Sequence, residues 1–211
     1  LSYVVTAQDG STATYTVVVS VPLISWGWMT GANTAEQAGV YGSKGVAAAA
    51  NTPGARWGAA SWRDASGNQW LFGGRTRDSG GTDVWLNDLW KFDGTQWTWV
   101  GGASTANQGG VYGSKGVAAA GNAPGAREGA ATWVDSSGNL WLFGGDGLDK
   151  SGGTVAWALN DLWKFDGAQW TWMGGTDTFN TNQYGVYGTQ GAFAAANMPG
   201  ARRYAVAWRD S

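Results

Sequence analysis

The sequence predicts an all-β fold made of repeated four-stranded antiparallel units, and two observations lead to this prediction. The first is an internal repeat: Gly-Val-Tyr-Gly begins at Gly39, Gly110 and Gly185, so the steps are 110 − 39 = 71 and 185 − 110 = 75 residues. The second is the presence of 16 Trp and 36 Gly among 211 residues, which is typical of short strands with large aromatic side chains and tight turns. A fixed period indicates one copied supersecondary unit that buries its apolar face against its neighbours.

Four further motifs recur in the same order and with nearly the same step. They are Pro-Gly-Ala-Arg (from Pro53, Pro124 and Pro199), Leu-Phe-Gly-Gly (Leu71, Leu142), Asn-Asp-Leu-Trp-Lys-Phe-Asp (Asn87, Asn160) and Gln-Trp-Thr-Trp (Gln96, Gln169). Because the order of the motifs is repeated as well as their composition, we expect equivalent strands in each copy.

Apolar runs bounded by turn residues place the strands. In the first copy we expect strands at 57–64, 69–73, 88–92 and 96–100. In the second copy we expect them at 128–135, 139–144, 160–165 and 169–173, and the third copy supplies a first strand at 203–210. Consecutive sets of four antiparallel strands are typical of a β-propeller, which gives two complete blades (53–100 and 124–173) and the start of another (199–211).

The first 21 residues follow a different pattern. β-branched residues dominate 1–7 and 12–21, and the polar segment 8–11 between them predicts a β-hairpin. Two strands are marginal alone, so we interpret 1–21 as the last hairpin of a preceding β-sandwich. Pro22 marks the boundary with the propeller part, 22–211, because proline cannot donate to a continuing ladder. Strand-like sequence at both ends suggests a fragment of a longer protein.

Trp26–Met29 aligns with Trp97–Val100, the fourth strand of the first complete blade. Three preceding strands do not accompany it. We therefore hypothesise that this lone outer strand completes the last blade of a closed ring.

The motifs after the second strand resemble a known repeat family. Gly-Gly after an apolar strand, then Asn-Asp-Leu-Trp-Lys-Phe-Asp, then Trp, is similar to the kelch repeat over roughly 53–100 and 124–173. Kelch units run about 50 residues, and inserts such as 101–123 lengthen them here. The resemblance implies a propeller of the galactose-oxidase-like superfamily with about six or seven blades, the others coming from the remainder of the full-length chain. The hairpin resembles the end of a cadherin- or immunoglobulin-like sandwich.

Charge and missing residue types exclude several function classes. The formal net charge of −2 argues against nucleic acid or an anionic membrane as a partner. The sequence has no Cys and no His, which excludes disulfides, thiolate nucleophiles, imidazole bases and Cys/His metal sites within it. No apolar stretch approaches the roughly 20 residues of a membrane helix. We predict no catalytic residue, no metal site and no cofactor.

Candidate binding residues form two groups. Arg56, Arg127 and Arg202 recur before the first strand, and their five fixed donors suit either a structural clamp on carbonyl or carboxylate groups or a ligand contact near the central channel. The residues of the second group differ between copies, as recognition of an asymmetric ligand requires. The alternative explanation is sequence drift on a solvated surface. It comprises Trp57, Glu128 and Arg203 at one equivalent position, and Arg75, Arg77, Asp146 and Asp149 in the loops between strands two and three.

Three weaker signals have structural interpretations. The Gly-rich segment 108–120 lacks the phosphate-loop pattern, so we expect a packed loop with a helical turn over its Ala run. Tyr41, Tyr112 and Tyr187 would anchor these loops, with contact to a glycan as the alternative role. We expect Asp88 and Asp161 to cap a turn or to accept backbone N–H bonds.

Antiparallel order places all long connections (74–84, 101–123, 144–157 and 174–198) at one end of the strands. Function concentrates in long loops on a rigid scaffold. We therefore expect a non-enzymatic module that recognises a protein or glycan through this face, in a multidomain bacterial protein that is extracellular or on the cell surface. One alternative is part of a carbohydrate-active enzyme, oxidase- or mutarotase-like, whose active site lies in other blades. Another is a scaffold for cytoplasmic partners.

Overall fold

A computed structural model of the chain describes residues 2–16, 27–179 and 184–208, and divides the chain into two compact units, 1–30 and 31–211. In the first unit, β1 (Ser2–Thr6) and β2 (Thr12–Thr16) form an antiparallel hairpin. The Asp9 carboxylate stabilises its turn by accepting hydrogen bonds from the backbone N–H and the hydroxyl of Ser11, at 2.9 and 2.6 Å. Pro22 lies outside the described residues.

The second unit contains two antiparallel sheets, one in repeat 1 (37–107) and one in repeat 2 (108–179). The strands of sheet 1 are β3 (Ala47–Ala48), β4 (Ala60–Arg63), β5 (Gln69–Arg77), β6 (Asp83–Phe92) and β7 (Trp97–Gly101). Those of sheet 2 are β8 (Ala118–Ala119), β9 (Arg127–Glu128), β10 (Ala131–Val134), β11 (Leu140–Gly147), β12 (Trp157–Phe165) and β13 (Trp170–Gly174). Their spatial orders are β3-β7-β6-β5-β4 and β8-β13-β12-β11-β10, with β9 also paired to β11. The residues described contain no helix, so the predicted all-β class is confirmed.

The central hairpin of each sheet is longer than the sequence predicts. β5 continues to Arg77 and β6 begins at Asp83, so only 78–82 of the expected loop 74–84 turn the chain. In repeat 2 the connection shortens in the same way, from 144–157 to 148–156. The extra strand residues form because cross-strand pairing satisfies their backbone groups beyond the Gly-Gly motif.

The Gly-Gly motif produces a β-bulge in each central hairpin. The register shifts between Phe72 and Gly74, and Gly73 and Gly74 adopt left-handed φ values of 61° and 103°. A Cβ on Gly73 would also lie 2.7 Å from the carbonyl oxygen of Arg127 in repeat 2. Glycine is therefore required both by the backbone conformation and by the close approach of the next repeat.

Three predicted elements are not formed in the described residues. The Ala run forms no helical turn: Ala118–Ala119 and its equivalent in repeat 1 pair with the outermost strands, whose edges offer unpaired backbone groups. The first strand of the third copy does not form over 203–208, because the described residues contain no second strand to pair with it. Of the proposed lone strand 26–29, Trp26 lies outside the described residues and 27–29 form no strand.

Large aromatic side chains join the two sheets. Trp70 and Phe72 of sheet 1 contact Phe165 and Trp170 of sheet 2, with ring centroids 5.6 Å apart in each pair. The indole N–H of Trp62 donates to a backbone carbonyl of β11 at 2.9 Å. A buried aromatic side chain removes about 150–250 Å² from water, so this interface is the main core of the second unit.

Candidate functional site

A buried Arg–Asp pair lies at the start of each complete repeat. In repeat 2, Arg127 Nη1 and Nη2 donate to both carboxylate oxygens of Asp161, at 2.6 and 2.7 Å, and both side chains are 0% exposed. Arg127 also donates to two backbone carbonyls, at 2.9 and 3.0 Å. In repeat 1, Arg56 makes the same paired contact with Asp88, at 2.6 and 2.8 Å, with 5% of the arginine side chain exposed.

A tyrosine and a tryptophan complete each pair. Tyr112 Oη and Trp163 Nε1 both donate to Asp161 at 2.7 Å, and the equivalent residues of repeat 1 donate to Asp88. The carboxylates thus accept side-chain donors rather than the backbone N–H groups that the sequence suggests. Burial, reinforced by the charge of Asp161, raises the pKa of Tyr112, so its hydroxyl stays protonated. This geometry is a clamp within the fold, and a ligand could reach Arg127 only by displacing these bonds.

The third copy of the clamp is exposed. Arg202 and Tyr187 are both accessible, and the described residues hold no counterpart of Asp161 for them. Arg202 Nε donates to the carbonyl of Gly200 at 3.1 Å, as its equivalents do in the other copies. Its backbone bonds to sheet 2, accepting from the N–H of Gly145 and donating to the carbonyl of Leu159.

The candidates that differ between copies meet at the boundaries between repeats. Arg75 of repeat 1 lies 3.3 Å from Glu128 of repeat 2, and Asp146 of repeat 2 lies 2.8 Å from Arg203 of the third copy. These two pairs occupy equivalent positions with the charges reversed. The residue types change while the attraction across the boundary is kept, so contact between repeats accounts for this variation.

Glu128 is the most buried charge at these boundaries, with 3% exposure. Tyr204 Oη donates to it at 2.9 Å, and this hydrogen bond raises the pKa of Tyr204. The guanidinium of Arg75 lies over two indoles, 5.0 Å from Trp85 and 5.7 Å from Trp57. Arg75 Nε and Trp85 Nε1 are buried without a hydrogen-bond partner in the part of the chain that the structure describes.

The other candidates lie in the connections between strands two and three. Arg77 is exposed and lies 3.4 Å from Asp83 and 3.6 Å from Glu36. Asp149 accepts the backbone N–H groups of Ser151 and Phe179, so it orders its own loop. Across residues 2–16, 27–179 and 184–208, no group of three acidic side chains could hold a metal ion, and no helix is long and apolar enough to cross a membrane.

Sequence reasoning missed Tyr204, and the repeat itself contains the signal for it. Tyr204 stands where the other copies have Gly58 and Gly129, and it adopts the same left-handed backbone, with φ of 54° against 63° and 62°. A non-glycine residue in this region is strained and is held in place by its surroundings. Here the hydrogen bond to Glu128 supplies part of that support.

Comparisons with known proteins give a likeness in shape alone. No protein-family model matches the sequence, and no curated protein sequence matches it. Among solved structures, the chain is similar to the structure of YjhT, at 19% sequence identity and a TM-score of 0.40. The match covers 64% of this chain and 42% of that chain, so the chain spans less than half the length of YjhT.

Proposed function

We propose that sheets 1 and 2 are neighbouring blades of a kelch-type β-propeller, and that the chain is a non-enzymatic module that binds a protein or glycan outside the cell. The way the sheets stack supports the propeller. The face of sheet 1 that holds Trp62, Phe72 and Leu89 is buried against sheet 2. The equivalent face of sheet 2 borders a groove of about 660 Å³, which is where a further sheet would pack.

The inserts support a binding role because they are built into the scaffold. In repeat 2, the side-chain amide of Asn122 donates to the carbonyls of Val117 and Trp170, both at 3.0 Å, and Val111 forms a β-bridge with Ala123. The ammonium of Lys115 lies 4.3 Å from the ring centroid of Trp172. The equivalent residues of repeat 1, Asn51 and Lys44, make the same contacts. Loops fixed in this way can present side chains in a defined geometry.

One observation carries the proposal: exposed aromatic and charged side chains lie together at the end of the sheets that holds the long connections. Trp57 is 44% exposed, next to Arg75, and the exposed Arg77 lies two residues further along β5. Exposed indoles stack on sugar rings or fill pockets of a protein partner, and arginine supplies the polar contacts beside them.

Substitution of Trp57 tests this role. We expect Trp57→Ala to weaken binding of the intact protein to its ligand on a glycan array, or to a purified protein partner, by about tenfold or more. Trp157→Ala is a matched control, since Trp157 is 46% exposed but stacks on Phe179 at 4.3 Å. Equal binding by the protein and both variants would remove Trp57 from the site. Absence of any ligand in either format would count against the binding role itself.

A further inference from the structure

The two repeats differ in how the connection between their central strands is placed. In repeat 2, the segment 148–150 leaves β11 and folds onto the insert. The N–H of Leu148 donates to the carbonyl of Ala126 at 2.8 Å, and the carbonyl of Asp149 accepts the N–H of Gly110 at 3.0 Å. The first bond continues the β9–β11 pairing by one residue, and the second joins the segment to the insert. We call 148–150 the tether.

The tether is also fixed on its other side. Lys150 donates to Asp177 through its backbone N–H at 3.0 Å and through its ammonium at 2.6 Å. Leu148 is 1% exposed, packed with Trp85 and Ala126. A Cβ on Gly125, just after the insert, would collide with the carbonyl of Leu148, so glycine at this position makes room for the tether. In repeat 2, therefore, the space between the two inserts is closed by the chain itself.

Repeat 1 leaves the equivalent space open. β5 continues to Arg77, paired with Asp83, and the shorter connection 78–82 turns without reaching the insert. The result is a cleft of about 790 Å³, which we call the repeat-1 cleft, lined by the insert, by 76–81 and by Ser104 and Ala106.

The backbone groups that hold the tether in repeat 2 are free in repeat 1. The N–H of Gly39 and the carbonyl of Ala55 are the equivalents of those of Gly110 and Ala126, and both residues line the repeat-1 cleft. Neither group has a hydrogen-bond partner within the described residues. The bond from the N–H of Ala55 to the carbonyl of Gln37, at 2.8 Å, is kept, so the edge has the same shape in both repeats.

The lining residues define what would fit. Val84 and Leu86 are buried apolar residues that line the repeat-1 cleft, suited to an aliphatic side chain. The exposed Arg77 and Glu36 carry opposite charges at its rim, suited to an acidic and a basic side chain. A free N–H on one segment and a free carbonyl on the neighbouring segment match the two backbone bonds that the tether makes, and therefore suit an extended peptide, whereas a glycan has no such donor–acceptor pair.

We infer that the repeat-1 cleft receives an extended peptide segment of a partner protein, in which an apolar residue precedes an acidic one. The peptide takes the place that Leu148 and Asp149 take in repeat 2. Its backbone pairs with Gly39 and Ala55, its apolar side chain packs toward Val84, and its charges meet the rim. This inference rests on the proposed binding function and narrows it to one ligand class and one cleft.

The tether itself supplies the probe. A capped peptide with the sequence of 146–151 (Asp-Gly-Leu-Asp-Lys-Ser) is titrated into the ¹⁵N-labelled 211-residue chain, with amide shifts as the readout. We expect the Gly39 amide to move downfield on forming a hydrogen bond, while the Gly110 amide, already bonded to the tether, does not change. A peptide N-methylated at Leu has lost the donor for Ala55 and should bind about two- to tenfold more weakly. An unchanged Gly39 amide at millimolar peptide, or equal affinity of the N-methylated peptide, would overturn the inference.

Two variants that close the cleft test its location. Ala55→Tyr fills the repeat-1 cleft, and a graft of 148–156 in place of 77–83 provides an internal tether. We expect each to weaken peptide binding by about tenfold or more, with Ala65→Tyr, in an exposed turn at the other end of sheet 1, as the control. Near-ultraviolet circular dichroism checks folding. Undiminished peptide binding by both closed variants would contradict the inference. If these variants also keep binding to a glycan or a protein partner, the inference fails but the proposed binding function stands.

Discussion

Repeats 1 and 2 share the same clamp, but their neighbours give it different surroundings. Tyr112 is 4% exposed in repeat 2, whereas Tyr41 in repeat 1 is only half-buried. Repeat 2 has repeat 1 on one side and the third copy on the other, and Arg127 is completely enclosed. A repeat motif therefore specifies a set of bonds, while the adjoining repeat decides how far those bonds are removed from water.

The largest expected difference between the repeats concerns the clamp carboxylates. Asp161→Asn leaves the buried guanidinium of Arg127 without its counter-charge, and we expect a loss of about 3–5 kcal/mol in the free energy of unfolding. Asp88→Asn should lower the free energy of unfolding by less, because the side chain of Arg56 is not completely buried. Urea denaturation of both variants measures this. Equal losses would show that the adjoining repeat does not set the strength of the clamp.

The reversed charges at the two boundaries allow a swap. Glu128→Arg alone places a second guanidinium beside that of Arg75, and their repulsion should lower the free energy of unfolding. Asp83 also pairs with Arg75, and repeat 2 has Ala156 at that position, so the swap is made in an Asp83→Ala background. There, adding Arg75→Asp recreates the arrangement of Asp146 and Arg203, and we expect it to recover about 1–3 kcal/mol as a coupling energy.

A double-mutant cycle in urea measures that coupling. The pair of Asp146 and Arg203 serves as the comparison, since Arg203 is exposed and its coupling should stay within about 0–1 kcal/mol. Additive effects of the two substitutions at 75 and 128 would mean that the boundary does not depend on this ion pair.

The smallest expected effect concerns the short turns at the other end of the sheets. Asp135 accepts bonds from the backbone N–H groups of Ser137 and Asn139, from the Asn139 amide and from the Trp141 indole, at 2.8–2.9 Å. Burial alone would raise its pKa, but these hydrogen bonds outweigh burial and lower the pKa from 3.8 to about 2. A lowered folded-state pKa stabilises the fold above about pH 4, and the contribution is lost as pH falls from 4 toward 2.

Urea midpoints of the protein and of Asp135→Ala should therefore differ at pH 6 and converge near pH 2. Asp64 makes the same contacts in repeat 1, and its pKa is also lowered, so Asp64→Ala is the matched comparison. A gap between protein and variant that is independent of pH would show that the carboxylate charge contributes nothing to this turn.

Much of the fold could be predicted because its signals are local. Gly-rich turns, alternating apolar residues and the 71-residue step define the strands of the central hairpins. The edge strand Ala118–Ala119 could not be predicted, since an Ala run has no strand pattern and pairs only because β13 offers a free edge. The candidate residues were found by comparing copies, but their partners were not, because Glu128 meets Tyr204 across 76 positions.

The repeat, the all-β class and the positions at which the copies agree or differ can be read from the sequence alone, because period and turn chemistry are properties of neighbouring residues. It is the packing of the repeats that encloses Arg127, pairs the varied charges across the boundaries, and closes one cleft while its equivalent stays open. These outcomes depend on which surfaces meet. The connection between the central strands has nine residues in repeat 2 and five in repeat 1, and the longer one contacts the insert through Asp149, a contact that no local sequence pattern predicts.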